Sequence, residues 1–330
     1  MTKKPLLTGL LLLTAGLILL FWYMIAMPGS SWQGATPPAD AKEQRLAAEM
    51  QATVEHLSGA IGPRSTAAPD GLERAADWIR ASWEAAGLKV QARSFPLPDG
   101  TAGTNLFVET GRADSREVVV VGAHYDGVGF IPAANDNASG VAALLVLARH
   151  FTRIPTARRI RFIAFTNEEP PWFGTPHMGS RISAGDSRQR GESIPAMISI
   201  ETIGYYTDTP GTQSYPFPLG LFYPDRGNFI ALIGNLSSRT LVRRALGVFR
   251  QVPLPSEGIA APSWVPGVYW SDHWSYWRED YPAIMVTDTA PYRYPWYHKP
   301  GDTADRLDYH VMARVVQGLI LVIGDLAGEE

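Results

Sequence analysis

Four stretches of the chain are almost continuously apolar, which is the pattern of strands buried on both faces of a sheet. They are four consecutive valines at 118–121 and the apolar runs within 158–170, 196–206 and 281–290. Strand candidates at 88–97 and 104–109 precede the valines. We expect the four apolar runs to be central strands of a largely parallel sheet.

Segments with helical periodicity alternate with these strands. Apolar side chains recur every three to four residues in 41–58, 70–87, 139–153, 238–250 and 307–325. Alternation of strands and helices predicts an α/β fold, either as one large domain or as two small ones. Two Pro-rich segments, 207–227 and 252–268, are predicted to be long loops.

The N-terminal segment has a different pattern. Residues 5–27 contain no charged side chain and follow Lys3 and Lys4. A run of this length can cross a bilayer, and it lacks a clear A-x-A cleavage site. We therefore predict a transmembrane signal anchor over residues 1–27, with a cleaved signal peptide as the alternative.

The lysines before this run predict a cytoplasmic N-terminus. The rest of the chain would then lie outside the cytosol, in the periplasm or the extracellular space, or be secreted if the segment is cleaved. Residues 28–40 are rich in Pro, Gly and Ser and are predicted to be a linker.

Composition narrows the possible chemistry. The net charge of −3 gives no electrostatic footprint for a nucleic-acid partner. The chain has no cysteine, so disulfides, thiolate metal sites and a cysteine nucleophile are excluded. Any metal must be held by histidines and carboxylates. Nothing in the sequence indicates an oligomeric state.

Polar side chains follow each of the four apolar strands. They are His124, Asp126 and Asp136 after the first strand, Glu168 and Glu169 after the second, Glu201 in the third, and His298 after the fourth. The carboxyl ends of parallel strands meet at one edge of a sheet, where ligands of α/β proteins bind. Taken alone, the polar residues after the first strand are better explained by capping of the next helix, and Glu168 and Glu169 are equally well explained as a solvated turn. Glu201, inside an apolar run, favours a metal ligand or an ion pair.

Together, two imidazoles and several carboxylates suit a pair of zinc ions. One His, one terminal carboxylate and a shared carboxylate would serve each ion, and a further carboxylate would act as general base. Nearby aromatic residues can line a substrate pocket or belong to the core; they are Trp172, Phe173, Tyr205, Tyr206, Trp264, Tyr294 and Trp296.

Five motifs in order give the chain a strong resemblance to a known family. GAHYD, NDNASG, NEEP, the Glu201 strand and YHKPGDT resemble the co-catalytic zinc aminopeptidases of metallopeptidase family twenty-eight, which includes the glutaminyl cyclases. The resemblance covers roughly residues 45–328. It implies a three-layer α/β/α fold with a mixed, mostly parallel central sheet and a single zinc-peptidase catalytic domain over residues 41–330.

The resemblance also implies roles for the site residues. Two Zn²⁺ ions per chain would be held by His124, Asp136, Glu169, Glu201 and His298, with Asp136 bridging. Glu168 matches the general acid/base and Asp126 the carboxylate that orients His124. The peptide bond after Asp136 is often cis in the family. Glu201 departs from the pattern, because many members have Asp there, and its longer arm is expected to shift the metal or the backbone.

The activity implied is that of an aminopeptidase acting on peptides with a free N-terminus, anchored to the membrane by its N-terminal helix. Two alternatives stay open. A glutaminyl-peptide cyclotransferase uses one zinc and lacks the first His of the motif, whereas His124 is present here. A non-catalytic binding domain on the same fold typically loses ligands, and all five are retained.

Overall fold

The computed structural model describes residues 4–329 and contains one mixed eight-stranded sheet. In spatial order the strands are β1, β2, β4, β3, β5, β8, β6 and β7. Their bounds are β1 Gln91–Pro96, β2 Ala102–Gly111, β3 Glu117–His124, β4 Arg159–Phe165, β5 Ser193–Glu201, β6 Ile230–Gly234, β7 Ser256–Ala260 and β8 Ala283–Thr287.

The centre of the sheet is parallel and its margins are mixed. Strands β4, β3, β5 and β8 run in the same direction, so their carboxyl ends lie at one edge. On one side β1 and β2 form an antiparallel pair, and β2 is antiparallel to β4. On the other side β6 is antiparallel to β8 and parallel to β7. The expected mixed, mostly parallel sheet is confirmed.

Helices cover both faces of the sheet. The α-helices of the described residues are α1 Lys4–Ile25, α2 Ala41–Glu55, α3 Pro69–Ala85, α4 Gly140–Phe151, α5 Gly179–Gln189, α6 Arg239–Phe249, α7 His273–Trp277, α8 Ala290–Arg293 and α9 Tyr309–Ala327. Of these, α1 is largely exposed. Val119 and Val121 belong to the large core that includes α2, α4, α6 and α9. Val118 and Val120 point the other way, into the smaller core with residues of α5 and α7. The valine run is therefore apolar on both faces because both faces are covered, which confirms the three-layer α/β/α fold.

Two strands differ from the sequence expectation. Residues 252–268 were expected to be one long loop, but β7 lies within them, and β6 falls in a segment without a predicted element. Both strands have only five residues and lie at one end of the sheet. The β7 sequence, SEGIA, has two Gly or Ser residues and one Glu, so its strand state depends on pairing with β6 rather than on local propensity.

Among the described residues, α9 is long and apolar enough to cross a membrane, but 67% of its apolar window is buried inside the fold. It packs against α2, α4 and α6, as expected of a core helix. A shorter apolar stretch, Leu11–Ile25, lies in α1 and is largely exposed. Residues 1–3, which begin the predicted anchor, lie outside the described residues.

Candidate metal centre

The predicted site residues meet at the carboxyl ends of the central strands. His124 is the last residue of β3 and Glu201 the last residue of β5. Glu168 and Glu169 follow β4, and His298 lies in the loop after α8. Parallel alignment of β4, β3 and β5 brings these ends together, so residues up to 174 positions apart in sequence share one pocket.

Asp136 lies just before α4, in a turn that crosses the ends of β3 and β5. The Asp136–Asn137 peptide bond is cis, as the family resemblance implied. The Asn137 side chain donates to the carbonyl of Ile200 at 2.8 Å, which fixes this turn to β5. Gly140 allows the start of α4 to lie close to β5, because a Cβ at this position would lie only 2.6 Å from the Ile200 carbonyl oxygen. The glycine of NDNASG is therefore required by close packing of α4 on β5.

One group of ligand-type atoms surrounds Nε2 of His124. This nitrogen lies 3.3 Å from Oδ1 of Asp136 and 3.2 Å from Oε2 of Glu201. Oε2 of Glu168 is farther away, at 3.9 Å. All four side chains are buried.

A second group surrounds Nε2 of His298, which lies 3.0 Å from Oδ2 of Asp136 and 3.4 Å from Oε2 of Glu169. The two oxygens of Asp136 therefore face two different imidazoles. His124, Asp136 and Glu169 also form a cluster whose ligand atoms lie within 4.8 Å of one another. Glu201 is near His124 and Glu169 is near His298, so each imidazole has its own terminal carboxylate.

Several of these buried atoms make no hydrogen bond. They are Nε2 of His124, Nε2 of His298, Oδ1 of Asp136 and Oε1 of Glu169. Buried polar atoms without partners are costly, and metal ions bound between them would satisfy these atoms. The donor set of two imidazoles and three carboxylates suits a borderline cation such as zinc. These residues fit metal ions.

Asp126 contacts both the His124 ring and the loop after β4 that carries Glu168 and Glu169. Its carboxylate hydrogen-bonds mainly to the backbone of that loop. Its Oδ1 accepts the backbone N–H of Glu168 at 3.2 Å and its Oδ2 that of Glu169 at 3.0 Å. Nδ1 of His124 lies 3.2 Å from the backbone carbonyl oxygen of Asp126 and 3.5 Å from Oδ1. Donation from Nδ1 would leave the Nε2 lone pair of His124 facing Asp136 and Glu201.

Ser271 contacts the site although it is not one of the predicted site residues. Its hydroxyl donates to Oε2 of Glu201 at 2.7 Å and lies 2.9 Å from the Ser199 hydroxyl. The bond fixes the longer arm of Glu201 toward His124. The neighbouring Asp272 is fully buried and neither of its carboxylate oxygens has a partner. Both residues belong to the segment SDHW at 271–274, which directly precedes and begins α7.

Two further residues support the site from behind. Asp302 accepts the backbone N–H groups of Asn135 at 2.8 Å and of Asp136 at 3.1 Å. Arg64 is buried and donates to five backbone carbonyls, those of Leu57, Gly62, Tyr125, Pro132 and Ala133. It thereby holds both ends of the loop between Asp126 and Asp136. A single Arg in the segment IGPRS gives no sequence signal for this role.

Burial and mutual charge shift the pKa values of the site. Burial raises the pKa of Glu168 well above its usual value, and the carboxylates of Glu201 and Glu169 raise it further. Burial likewise raises the pKa of Glu169 to about 8. Although burial acts to lower it, the carboxylates of Asp136 and Glu169 raise the pKa of His298 to about 10. Without a cation, the cluster therefore retains protons near neutral pH.

A family model, that of peptidase family M28, matches residues 105–323 of the chain. The chain belongs to peptidase family M28. It is therefore a metallopeptidase-family hydrolase, and several of its relatives are named aminopeptidases.

One relative matches nearly the full length of this M28 chain. It is the uncharacterised protein YfbL of Escherichia coli (strain K12), 37% identical over 93% of this chain and 96% of its own length. Aminopeptidase YwaD of Bacillus subtilis (strain 168) is 45% identical over 58% of this chain, a match that spans only 37% of YwaD.

Solved structures share the fold. A zinc aminopeptidase from Bacillus subtilis superposes with a TM-score of 0.69 at 15% identity, over 86% of this chain and 95% of that one. A Fimbriiglobus ruber glutaminyl cyclase has a TM-score of 0.64 at 20% identity, over 90% of this chain and 99% of that one. At these identities the likeness concerns the M28 fold alone.

A mainly apolar cavity adjoins the metal-site residues of this M28 peptidase. Glu201 and Tyr297 line it at the site, and Tyr223, Trp270 and Tyr292 contribute aromatic walls. None of the seven aromatic residues considered from the sequence is among its lining residues. Trp264, for example, is 78% exposed. Aromatic content alone could not distinguish pocket, core and surface positions.

Proposed function

We propose that the chain is a membrane-anchored, zinc-dependent aminopeptidase that removes N-terminal residues from peptides. The observation that carries this proposal is the position of Asp136, whose two oxygens face His124 and His298 at 3.3 and 3.0 Å. A carboxylate between two such groups suits a pair of metal ions better than a single ion.

The residues divide into two ligand sets. His124, Asp136 and Glu201 would hold one zinc ion, and Asp136, Glu169 and His298 the other. Zinc, when bound, would supply a water acidified to a pKa of about 7 and an electrophile for the scissile carbonyl. Asp126 would act on the site as a positioning residue, through its bonds to the Glu168 and Glu169 backbone.

Glu168 would move the proton. Its Oε2 lies 3.9 Å from Nε2 of His124, at the edge of the first ligand set and outside the contacts of the second. Burial raises the pKa of this carboxyl, which favours a group that both accepts a proton from the attacking water and returns it to the leaving amine. A carboxylate oxygen that is not used for metal binding would pair with the positively charged N-terminus of the substrate. The apolar cavity would receive the side chain of the first residue of the substrate.

The N-terminal segment would anchor this enzyme. α1 has 22 residues, which at about 1.5 Å per residue is long enough to cross the roughly 30 Å hydrocarbon core. We place the anchor over residues 1–27, the linker over 28–40 and the catalytic domain over 41–330. The N-terminus would be cytoplasmic and the catalytic domain would lie outside the cytosol, in the periplasm or the extracellular space.

Glutaminyl-peptide cyclotransferase activity is the competing function, since such enzymes share the fold. His124 favours hydrolysis, because the family's single-zinc cyclases lack this ligand. The test uses the full chain in detergent micelles, loaded with zinc, and two peptides that differ only in an N-terminal Leu or Gln. We expect free Leu to be released and close to two zinc ions per chain. Pyroglutamyl peptide without cleavage of either peptide would overturn the proposal, and so would a chain that binds no zinc and is inactive.

A further inference from the structure

Two loops beside the end of α1 expose large apolar side chains. Residues 215–223 expose Leu221 to 74% and Phe222 to 55%, and residues 262–266 expose Trp264 to 78%. Phe217, in the first loop, is also exposed. Large apolar side chains that cluster at the surface mark an interaction site more often than scattered ones do.

The first of these loops touches the membrane-anchor helix directly, and both loops share an apolar cluster with that helix. The rings of Phe222 and Phe21 lie 4.7 Å apart. Met24 is buried against Ile259 and Val268, and Leu219, Tyr223 and Val265 pack around the same cluster; these last three residues come from the two loops. The apolar surface of α1 is thus continuous with that of both loops.

The end of α1 is fixed to the domain. Arg239 donates to the carbonyl of Tyr23 at 2.6 Å, and its guanidinium lies 3.9 Å from the centre of the Tyr23 ring. Arg243 donates to the carbonyl of Ala26. The segment that follows also lies against the domain, where the Ser31 hydroxyl accepts the backbone N–H of Ser256 at 2.9 Å. These contacts define how the loops sit relative to the helix axis.

The depth of the loops follows from that arrangement. Trp22 and Tyr23 are exposed near the C-terminal end of α1, where aromatic residues of a membrane helix typically meet the headgroups. Phe21 lies four residues before Ile25, so Phe222 is level with a point about 6 Å inside the helix end. Interfacial elements bury their apolar side chains to about 5–10 Å. A bilayer crossed by α1 would therefore reach Phe222.

We propose that residues 215–223 and 262–266 insert their exposed apolar side chains into the interface of the bilayer that α1 spans. The occupant of this surface is lipid, because the same surface continues along the exposed apolar face of α1. This inference rests on the proposed membrane anchoring. Tyr215, Leu219, Tyr223 and Val265 of the two loops also line the cavity next to Glu201. The substrate cavity is thereby presented to peptides at the membrane surface.

The absence of cysteine allows a direct test by single-cysteine labelling of the full chain. Leu221→Cys and Trp264→Cys are the test positions; both side chains are exposed, and neither lines the cavity. Leu13→Cys, exposed on α1, reports on the anchor itself. Ala92→Cys, exposed on β1 at the sheet edge opposite β7, is the control that should remain in water.

Each variant is labelled with an environment-sensitive fluorophore and reconstituted in vesicles of phosphatidylcholine and phosphatidylglycerol, with and without nitroxide-bearing lipid. Labels at 221 and 264 should lose about half of their emission or more in the nitroxide vesicles, and the label at 92 should lose almost none. Quenching of the 13 label alone would overturn the loop insertion and leave the anchoring intact. An unquenched 13 label would overturn the anchoring on which the inference rests. Circular dichroism and peptidase activity confirm that each variant is folded.

Discussion

The carboxylate of Asp126 accepts the backbone N–H of Glu168 at 3.2 Å, across 42 residues of sequence. This bond ties the end of β3 to the loop after β4 and holds Glu168 beside the two ligand sets. Glu168 is therefore positioned through its backbone N–H, so its side chain would remain available for the proton transfer that we propose.

Replacement of Glu168 by Gln should separate metal binding from chemistry. Glu168→Gln keeps the size of the side chain but removes the proton acceptor, so we expect peptidase activity to fall by about 10²–10⁴-fold. Zinc content, measured by mass spectrometry, should stay near two per chain, because Glu168 is not in either ligand set. Glu73→Gln, at an exposed position of α3, is the matched control. Substantial activity in Glu168→Gln would sink the general-base assignment.

Variants of the two ligand types should give different zinc contents. His298→Ala removes a ligand of one set only, so about one zinc ion per chain should remain. Asp136→Ala removes the ligand shared by both sets and should leave less than about one zinc ion per chain. His310→Ala, at an exposed position of α9, should retain both ions. Equal zinc content in His298→Ala and Asp136→Ala would contradict a bridging role for Asp136.

The Ser271 hydroxyl should tune the set that contains Glu201. Ser271→Ala deletes the 2.7 Å hydrogen bond to Oε2 of Glu201, and loss of such a supporting bond typically costs about 10–100-fold in metal affinity. Competition with a zinc chelator measures this affinity, and only one of the two ions should be weakened. Ser94→Ala, exposed on β1, serves as control. Unchanged affinity for both ions in Ser271→Ala would show that Glu201 needs no such support.

Arg64 should be required for stability although it lies outside the ligand sets. Arg64→Met removes a donor from five backbone carbonyls. Those of Leu57 and Ala133 still accept a backbone N–H, and the other three lose their donor. Since each unsatisfied group costs about 1–3 kcal/mol, we expect the free energy of unfolding to fall by more than about 3 kcal/mol in urea titrations. Arg45→Met, exposed on α2, should change it little. Equal stability of these two variants would refute the role of Arg64.

The metal-free protein should lose stability as pH rises. The pKa values of Glu169 and His298 are raised to about 8 and about 10 in the folded chain, from usual values of 4.5 and 6.5. The folded state therefore binds more protons than the unfolded state across this window, so the free energy of unfolding decreases with increasing pH.

Thermal unfolding of the chelator-treated chain between about pH 6 and pH 9 checks this expectation. The Tm should fall over that range, and the His298→Asn variant should show a smaller decrease. Added zinc should raise the Tm more near pH 9 than near pH 6, because fewer protons then have to leave the site residues when zinc binds. If the Tm of the metal-free chain increased with pH, this would contradict the raised pKa values of Glu169 and His298.

The central part of the fold could be predicted from the sequence, and its margin could not. The valine run at 118–121 has a pattern that only a strand covered on both faces explains, and β3 bears this out. β7 has no such pattern, because its strand state comes from pairing with β6. The seven aromatic residues considered as pocket candidates do not line the cavity, since the sequence pattern of an aromatic side chain is the same in a core, a pocket and an exposed loop.

The sequence by itself determined the chemical inventory of the site: the ligand types and their order along the chain, the absence of thiolates, and an apolar N-terminal segment. Only the tertiary structure decided which groups pair. It put Glu201 with His124, Glu169 with His298 and Asp136 between them, and assigned supporting contacts to Ser271 and Arg64. The physical reason is that strand order and register, which arise from contacts between distant segments, set the distances among strand ends.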